Sequence, residues 1–256
     1  MQVFCNGLEV VFNSGNSPTT ALSNIDLATR QGEFLTIVGR SGCGKTTLLR
    51  TIAELIPPTR GTIERRSQGD DANQDALLVF QEHGLFPWMT VLDNAAFGLE
   101  MRGVAREDRE PRALEMLNTY GLGGRERDYP GQLSLGMRQR VALIRAFICE
   151  PALLLLDEPF AALDAQTRLT LQQELLALWA PTSMSVVFVT HDVDEAILLS
   201  DRIMVMDPKG CGMRMEVPVR LPRPRYADEI TSAEFSRTKR QILSALDVLQ
   251  RSEAHA

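Results

Sequence analysis

The octapeptide from Gly39 to Thr46, which reads GRSGCGKT and is followed by Thr47, constrains the fold of this chain more than any other segment. It lies between an apolar, partly β-branched run, Phe34–Val38, and a helical pattern, Thr47–Leu55. Glycines at this spacing allow backbone N–H groups to wrap around a nucleotide's phosphates at a strand-to-helix turn. We therefore predict a loop that binds ATP or GTP, in preference to a merely flexible glycine-rich turn.

The residue types in this loop each have a chemical reason. Glycine lets the backbone adopt positive φ and approach an anion closely. Lys45 can carry its charge to the β and γ phosphates, and the hydroxyl of Thr46 can bind Mg²⁺. The predicted nucleotide-binding residues of the loop are Gly39, Arg40, Ser41, Gly42, Cys43, Gly44, Lys45, Thr46 and Thr47.

Two carboxylates follow a second buried-strand pattern, Leu153–Leu156. Asp157 and Glu158 then lie at the end of the sheet where ligands of open α/β folds collect. We predict that Asp157 holds Mg²⁺ and that Glu158 polarises an attacking water as a general base. A pair of loop acids after a core strand is the alternative, which the phosphate loop makes the weaker interpretation.

The remaining patterns predict an α/β fold of the P-loop NTPase type. Strands alternate with helical patterns in the second half, which is typical of a mostly parallel sheet covered by helices. The early strands follow one another directly and predict a small antiparallel β subdomain. Residues from about 90 to 150 are predicted to form a helical subdomain, in which Met137, Val141, Ile144 and Ile148 share one helix face. The strand-like runs are Leu8–Phe12, Ile25–Ala28, Phe34–Val38, Thr62–Arg65, Leu77–Phe80, Leu153–Leu156, Val186–Val189 and Ile203–Met206.

The periodic pattern weakens from about Pro208. We predict a nucleotide-binding domain over residues 1–207 and a short C-terminal extension over 208–256, with a last amphipathic helix from Ser232 to Gln250. Regular structure just after Pro208 is predicted to be excluded by Pro218, Pro222 and Pro224.

Charge and cysteine content exclude some classes of protein. The chain has 27 basic against 33 acidic residues, a net charge of −6, which argues against a nucleic-acid partner bound by bulk electrostatics. The four cysteines lack metal-type spacing, so we predict neither a zinc site nor a disulfide framework, and no run reaches the ~18 apolar residues of a membrane span. A solvated tail or a phosphate site would explain one basic cluster, comprising Arg220, Arg223, Arg225, Arg237, Lys239 and Arg240.

Three further segments complete an ordered set of motifs. Gln81 follows one strand pattern, Leu133-Ser134-Leu135-Gly136-Met137 opens a helix, and His191 follows another strand pattern. In this order, and together with GRSGCGKT and LLLLDEP, they strongly resemble the nucleotide-binding subunit of ABC transporters over residues 8 to 206. The resemblance implies ATP and Mg²⁺ as cofactors and ATP hydrolysis as the activity.

The resemblance also implies roles for residues outside the phosphate loop. Phe12 matches the aromatic residue that stacks on adenine, although it would also fit an ordinary strand position. Gln81 matches the glutamine that senses Mg²⁺ and couples to the membrane subunit, and His191 matches the histidine that contacts the γ-phosphate. With Glu158, these two residues make up the implied catalytic set.

A third part of the implied site belongs to the opposite subunit of a dimer. Ser134, Gly136 and Met137 fall in the signature motif, which in this family caps the ATP held by the other chain. A helix N-terminus behind Ser134 would attract the γ-phosphate. Asp164 matches the loop that communicates across the dimer, although capping the helix that begins near Ala165 would explain it equally well.

The signature motif departs from the family at Leu135, where a glycine is usual. If this position needs positive φ, leucine costs about 1 to 2 kcal/mol, and if it needs close approach of the phosphate, the branched side chain hinders it. We expect leucine to be tolerated because backbone N–H donors bind the phosphate, with Gly136 supplying the flexibility.

Two segments, Gln81–Asn94 and Val217–Arg225, resemble those in ATPases of nitrate, sulfonate and taurine importers. The resemblance implies a peripheral subunit on the cytoplasmic face of the cell membrane that powers uptake of a small anion through a permease. A solute-binding receptor would take part indirectly, and two copies, or this chain and a homologue, would form the motor. The alternatives are a weakly active or silent partner subunit and a soluble ABC-type ATPase not tied to transport.

The segment after Gln81 carries an apolar, stiff patch of Phe86, Pro87 and Trp88. We predict that this patch receives a short helix of the membrane subunit. A core position for Trp88 is the alternative.

Overall fold

The computed structural model describes residues 1–14, 17–66, 76–81, 84–207 and 212–246. Three strands form a small antiparallel sheet: β1 (Gln2–Ser14), β2 (Ser17–Ala28) and β4 (Arg60–Arg66), in the order β2-β1-β4. The predicted antiparallel subdomain is therefore confirmed, with β1 and β2 longer than the predicted runs. Alternate apolar residues of β1 face the core, where Val3, Cys5, Leu8 and Val10 are buried.

A six-stranded sheet forms the centre of the molecule. Its order is β5 (Ala76–Val79), β6 (Leu153–Asp157), β7 (Ser185–Thr190), β3 (Phe34–Val38), β8 (Arg202–Met206) and β9 (Met213–Pro218). The first five strands run parallel and β9 pairs antiparallel with β8. The mostly parallel sheet is thus confirmed, and the continuous apolar runs of β3, β6 and β7 are explained by layers that cover both faces of the sheet.

Seven helices surround the two sheets within the described ranges. The polar side chains that precede several of them accept N–H groups of the first turn, as do Thr90, Ser134, Asp164, Asp192 and Ser232. The helices are α1 (Lys45–Ile52), α2 (Val91–Met101), α3 (Arg106–Thr119), α4 (Leu135–Phe147), α5 (Ala165–Trp179), α6 (Val193–Leu199) and α7 (Ala233–Ala245).

Helices α2, α3 and α4 pack together over a core of their own and form the predicted helical subdomain. Val141, Ile144 and Ile148 belong to this core and Met137 packs against it, so the predicted helix face is confirmed. Helix α1 ends at Ile52, earlier than the predicted Leu55. None of the helices in the described part of the chain is long and apolar enough to cross a membrane.

Strand β9 contradicts the prediction of irregular structure after Pro208. It lies at the edge of the sheet, and Pro218 is its last residue, opposite Arg202 of β8. An edge position tolerates proline because the missing N–H is not needed for a second neighbour. The predicted last helix is present as α7, capped by Ser232, and the predicted residues from 247 onward lie outside the described residues.

The basic cluster after β9 is also more structured than predicted. Arg225 is only 3% exposed and donates hydrogen bonds to the carbonyls of Ile197, Leu198 and Ser200 at the end of α6, and to that of Leu221. Burial lowers the pKa of Arg225 to about 10, which leaves it a cation at neutral pH. The guanidinium therefore satisfies carbonyl groups that the helix end leaves unpaired.

The neighbouring Arg223 has a similar structural role. It forms an ion pair with Asp201 at 2.8 Å, donates to the carbonyl of Leu199 at 2.7 Å and lies 4.4 Å from the ring centroid of Trp179. For Arg223 and Arg225, both interpretations of the basic cluster, a solvated tail and a phosphate site, are therefore wrong.

Candidate active site

The phosphate loop connects β3 to α1, as predicted. Gly42 and Gly44 have φ of 82° and 100°, in the left-handed region that favours glycine. A Cβ atom at Gly44 would lie 2.5 Å from the carbonyl oxygen of Ala21, and one at Gly39 would lie 2.6 Å from Sγ of Cys43. Glycine is therefore required both for backbone conformation and for close packing against β2 and within the loop.

Lys45 opens α1 and turns back into the loop. Its side chain is 5% exposed, and Nζ donates to the carbonyls of Gly39 at 3.0 Å and Arg40 at 3.4 Å. Nζ also lies 3.5 Å from Oε1 of Glu158. The loop thus holds its cation in place by its own backbone, which preorganises the charge for a phosphate group.

Thr46 and Asp157 meet at the carboxyl end of β6. The Thr46 hydroxyl donates to Oδ1 of Asp157 at 2.9 Å. Burial raises the pKa of Asp157, and the hydrogen bond from Thr46 opposes that rise. Both residues line a cavity of about 380 Å³, together with Arg50, Phe80, Gln81 and Gly84.

This cavity fits a magnesium ion by the chemistry of its donors. Mg²⁺ prefers hard oxygen ligands and is usually held through one or two protein groups, with waters and phosphate oxygens filling the other positions. A hydroxyl, a carboxylate and an amide oxygen are available on Thr46, Asp157 and Gln81. The structure therefore brings the three predicted metal-binding residues together at one cavity.

Glu158 links the phosphate loop to His191. Its backbone φ is 44°, an unusual value for a residue with a side chain, and its N–H donates to the carbonyl of Val189 at 2.9 Å. Oε2 of Glu158 lies 2.7 Å from Nδ1 of His191, while Oε1 faces Lys45. The carboxylate thus lies between a buried cation and a half-exposed imidazole, and the geometry allows both to orient it.

Phe12 lies on the small sheet that borders the phosphate loop. It pairs with Thr19 of β2 and is 38% exposed. The same strand β2 approaches the loop through Ala21, whose carbonyl is close to Gly44. Phe12 is therefore an accessible aromatic residue on the sheet whose strand β2 contacts the loop, and stacking on a base requires such an accessible ring.

The signature residues form a second cluster at the start of α4. Ser134 is exposed and its Oγ accepts the N–H of Met137 at 3.3 Å. Leu135 is the first residue of the helix and does not have positive φ. The conformational cost considered for leucine at this position therefore does not arise.

Asp164 lies close to this cluster because α4 and α5 pack tightly. A Cβ atom at Gly136 would lie 2.7 Å from Cγ2 of Thr167, and Asp164 accepts the N–H of that threonine at 3.0 Å. This hydrogen bond lowers the pKa of the Asp164 carboxyl. Among the described residues, no hydrogen bond or ion pair joins Ser134, Gly136, Met137 or Asp164 to the phosphate loop, so the predicted site residues fall into two groups.

Several residues near the site were missed by the sequence analysis. Arg168 of α5 binds Asp192, the residue after His191, at 3.0 Å. Gln172 of the same helix donates to the buried Glu195 at 3.0 Å. Burial raises the pKa of Glu195 to about 7, and hydrogen bonds from Thr190 and Gln172 oppose that rise. The one sequence signal for these contacts was the spacing of Arg168 and Gln172, two polar residues one turn apart on α5.

The segment after Gln81 presents an apolar patch to solvent. Trp88 is 71% exposed, so the alternative of a core position is wrong. The buried amide of Asn94 donates to the carbonyls of Phe86, Met89 and Thr90, which fixes the shape of this segment. Beside it is an apolar groove of about 550 Å³ between β5 and the helical subdomain, lined in part by Phe80, Phe86, Phe97 and Met101.

Comparison with known proteins agrees with this arrangement. The family described as ABC transporter matches residues 22–161. The chain is 45% identical over 228 residues to the aliphatic sulfonates import ATP-binding protein SsuB 1 of Rhodococcus jostii, covering 89% of this chain and 88% of the relative. It is 46% identical over 217 residues to the bicarbonate transport ATP-binding protein CmpC of Synechococcus elongatus, covering 83% of this chain and 33% of that longer relative.

The fold also matches solved structures. A structure described as the dimeric, post-hydrolysis state of the ATP-binding cassette MJ0796 bound to ADP and Pi has a TM-score of 0.75 and 32% sequence identity. The match covers 86% of this chain and all of that one. The predicted resemblance and the predicted fold class are therefore both confirmed. The chain belongs to the ABC transporter family, as one of its ATP-hydrolysing ATP-binding cassettes.

Proposed function

We propose that this chain powers an importer for a small anion, such as a sulfonate, taurine, nitrate or bicarbonate, from the cytoplasmic face of a membrane. The observation that carries the hydrolytic part is the position of Glu158, whose carboxylate oxygens lie 3.5 Å from Lys45 and 2.7 Å from His191. The names of relatives that import sulfonates and bicarbonate support the anionic class of solute.

Hydrolysis follows from a change of partners at Lys45. When ATP enters the loop, its phosphate oxygens replace the Glu158 carboxylate as the partners of Lys45. Glu158, still oriented by His191, then accepts a proton from the attacking water as the water oxygen bonds to the γ-phosphorus. The bond between that phosphorus and the bridging oxygen of the β-phosphate breaks, and the products are inorganic phosphate and ADP. A general base in such a position contributes about 10² to 10⁴ in rate.

A magnesium ion held by Thr46, Asp157 and Gln81 would supply charge neutralisation at the phosphates. The residues of this chain contribute the orientation of those oxygens, because the Thr46 hydroxyl holds Asp157 at 2.9 Å. Gln81 follows β5 and borders both the cavity and the segment that carries Trp88. Its position supports a role in relaying the state of the nucleotide site to that segment.

The active unit in this proposal is a dimer. Ser134, Gly136 and Met137 of one chain would face the nucleotide held by the other, with Asp164 at the contact between them. Their separation from the phosphate loop within one chain supports this arrangement, and so does the dimeric form of the matched cassette. The exposed N–H groups at the start of α4 provide donors for a phosphate.

The permease would dock on the apolar groove beside Trp88. The ring of Trp88 is exposed on a segment whose backbone is fixed by Asn94. The groove presents aromatic and aliphatic side chains to which a helix of the permease could bind. A solute-binding receptor would act only on the outer side of the permease.

The substitution Glu158→Gln tests the proposal. We expect the variant, assembled with its permease, to bind ATP while its hydrolysis rate falls about 10² to 10⁴-fold, because the amide cannot accept the proton of water. ATP binding, phosphate release and uptake into vesicles are the measurements, and Glu107→Gln on the exposed face of α3 is the matched control. Hydrolysis near the wild-type rate would remove Glu158 as the base.

The same preparations separate the alternatives. A wild-type chain that lacks ATPase activity without any added acceptor would indicate a silent partner subunit. An active chain that never co-purifies with a permease would indicate a soluble ATPase.

A further inference from the structure

Two polar contacts join the helix that follows Asp164 to the segment that follows His191. Helix α5 begins directly after Asp164, and α6 begins two residues after His191. Residues 168 and 172 are four apart on α5 and therefore lie on one face of that helix. Each of them contacts a carboxylate at the start of α6.

The outer contact is an ion pair. Arg168 donates to Oδ2 of Asp192 at 3.0 Å and to the carbonyl of Leu163 at 2.9 Å. Oδ1 of Asp192 is used to cap α6, accepting the N–H groups of Asp194 and Glu195. One guanidinium therefore touches the residue before Asp164 and the residue after His191.

The inner contact is buried. Gln172 and Glu195 are 2% and 5% exposed, and the amide donates to the carboxylate at 3.0 Å. Oγ1 of Thr190 accepts the N–H of Asp192 at 3.0 Å, and the side chain of Thr190 also lowers the raised pKa of Glu195. Thr190 and Asp192 are the two neighbours of His191. Because the N–H of Glu195 donates to Oδ1 of Asp192, and the N–H of Asp192 donates to Thr190, these contacts run from Gln172 to both sides of His191.

A buried carboxyl group costs free energy in either protonation state unless it is hydrogen bonded. A leucine at position 195 would pack in the apolar layer at no such cost. The Glu195 side chain instead accepts the Gln172 amide, which ties α5 to the first turn of α6, directly after the turn that carries His191.

We propose that Glu195 is a positioning residue for His191, acting with Gln172 to couple the loop that carries Asp164 to the loop that carries His191. In a dimer, contacts made on the Asp164 loop by the second chain would then set the position of the imidazole against Glu158. This inference rests on the proposed role of His191 in hydrolysis.

The first test is Glu195→Ala in the chain assembled with its permease. We expect kcat for ATP to fall about tenfold, because a small displacement of an orienting group is enough for such a loss. KM for ATP should change less than about twofold, because no contact in the phosphate loop is altered. Glu195→Gln keeps an acceptor for the Gln172 amide and should recover most of kcat. A rise in KM with unchanged kcat would overturn the proposal.

A double-mutant cycle identifies His191 as the route of the effect. In a His191→Ala background the substitution Glu195→Ala should cost almost nothing more, because the residue that it positions is gone. If Glu195→Ala lowered kcat by the same factor in the wild-type and the His191→Ala chains, Glu195 would not act through His191. The proposed role of His191 in hydrolysis would still stand. Wild-type turnover by His191→Ala alone would overturn the proposed role of His191 and this inference with it.

The variant Gln172→Met covers the case in which Glu195→Ala does not fold. Methionine keeps the size of the side chain and removes the donor, so kcat should again fall at unchanged KM. Gln31→Met, in an exposed turn, is the matched control. The exchange Gln172→Glu with Glu195→Gln reverses the donor and acceptor and should restore kcat above that of Gln172→Glu alone. No recovery in the exchange, with normal melting temperatures, would contradict the pairing.

Discussion

The phosphate loop and the signature cluster differ in how completely one chain satisfies them. Around the loop, Lys45, Thr46 and Glu158 are each held by partners of the same chain at 2.9 to 3.5 Å. In the signature cluster, Ser134 and Asp164 use their oxygens to cap α4 and α5, and the N–H groups of Leu135 and Gly136 at the start of α4 have no acceptor within the helix. In the proposed dimer, the first region would supply the phosphate loop and the base, and the second would supply N–H donors to the nucleotide of the other chain.

In the proposed dimer, this difference indicates which interactions a second chain would complete. A capped helix start keeps its N–H groups in fixed positions, so the signature cluster, in its proposed role, would bind a phosphate without rearranging. In the proposed mechanism, by contrast, the Lys45–Glu158 ion pair on the loop side breaks when nucleotide enters. Three changes test the comparison.

The largest effect is expected from inactivating the phosphate loop in one variant and the signature cluster in another. Lys45→Met removes the phosphate cation, and Ser134→Asp keeps the helix cap but adds a negative charge that repels phosphate. Each variant alone should lose more than about a hundredfold in ATPase rate. An equal mixture should regain about a quarter of the wild-type rate, because half of the dimers are mixed and each mixed dimer has one intact site. A mixture as inactive as its components would place both halves within one chain.

An intermediate effect is expected from Gly136→Ala. The added Cβ atom would lie 2.7 Å from Cγ2 of Thr167, so α4 has to move away from α5 and from the Asp164 loop. We expect about a tenfold loss in kcat, while the affinity of the isolated chain for ADP stays unchanged. Adding Thr167→Ser removes the clashing methyl group and should restore the rate. A loss that survives this second change would locate the defect outside the helix contact.

The smallest effect is expected from Leu135→Gly. Leu135 is helical at the first position of α4, so glycine gains nothing in backbone conformation and costs about 0.5 to 1 kcal/mol in helix stability, in addition to the packing of a partly buried side chain. Turnover should stay within about twofold of the wild type, measured beside a urea unfolding curve. Many-fold faster hydrolysis would indicate instead that the branched side chain hinders the phosphate.

The sequence predicted the parts of the site that depend on local chemistry. Residues such as Lys45, Asp157 and His191 follow buried strands, and a parallel sheet brings the ends of its strands to one edge. The same reasoning predicted the helix cap at Asp164. Whether that cap also serves a dimer contact stays a prediction, as does the domain boundary at residue 207.

The contacts that the sequence did not predict join residues far apart in the chain. The sequence around Arg223 and Arg225 resembles a charged, solvated tail, because it does not indicate that both side chains bind carbonyls at the end of α6. Gln172 and Glu195 look like the solvent side of two helices, because nothing in the periodicity indicates that both are buried. Strand β9 was missed because proline is a local signal, whereas its tolerance depends on lying at the edge of the sheet.

The buried guanidinium of Arg225 limits how far the ATP-binding cassette can be shortened from its C-terminal side. Cutting after β8 would remove Arg225 from the carbonyls at the end of α6 and would expose the apolar residues of α6 and β8 that β9 and α7 cover. A fragment that retains residues through Leu246 keeps both that cation and α7, whose Lys239 pairs with Asp194. The sensible place for a cleavage site or a fluorescent fusion is therefore beyond α7.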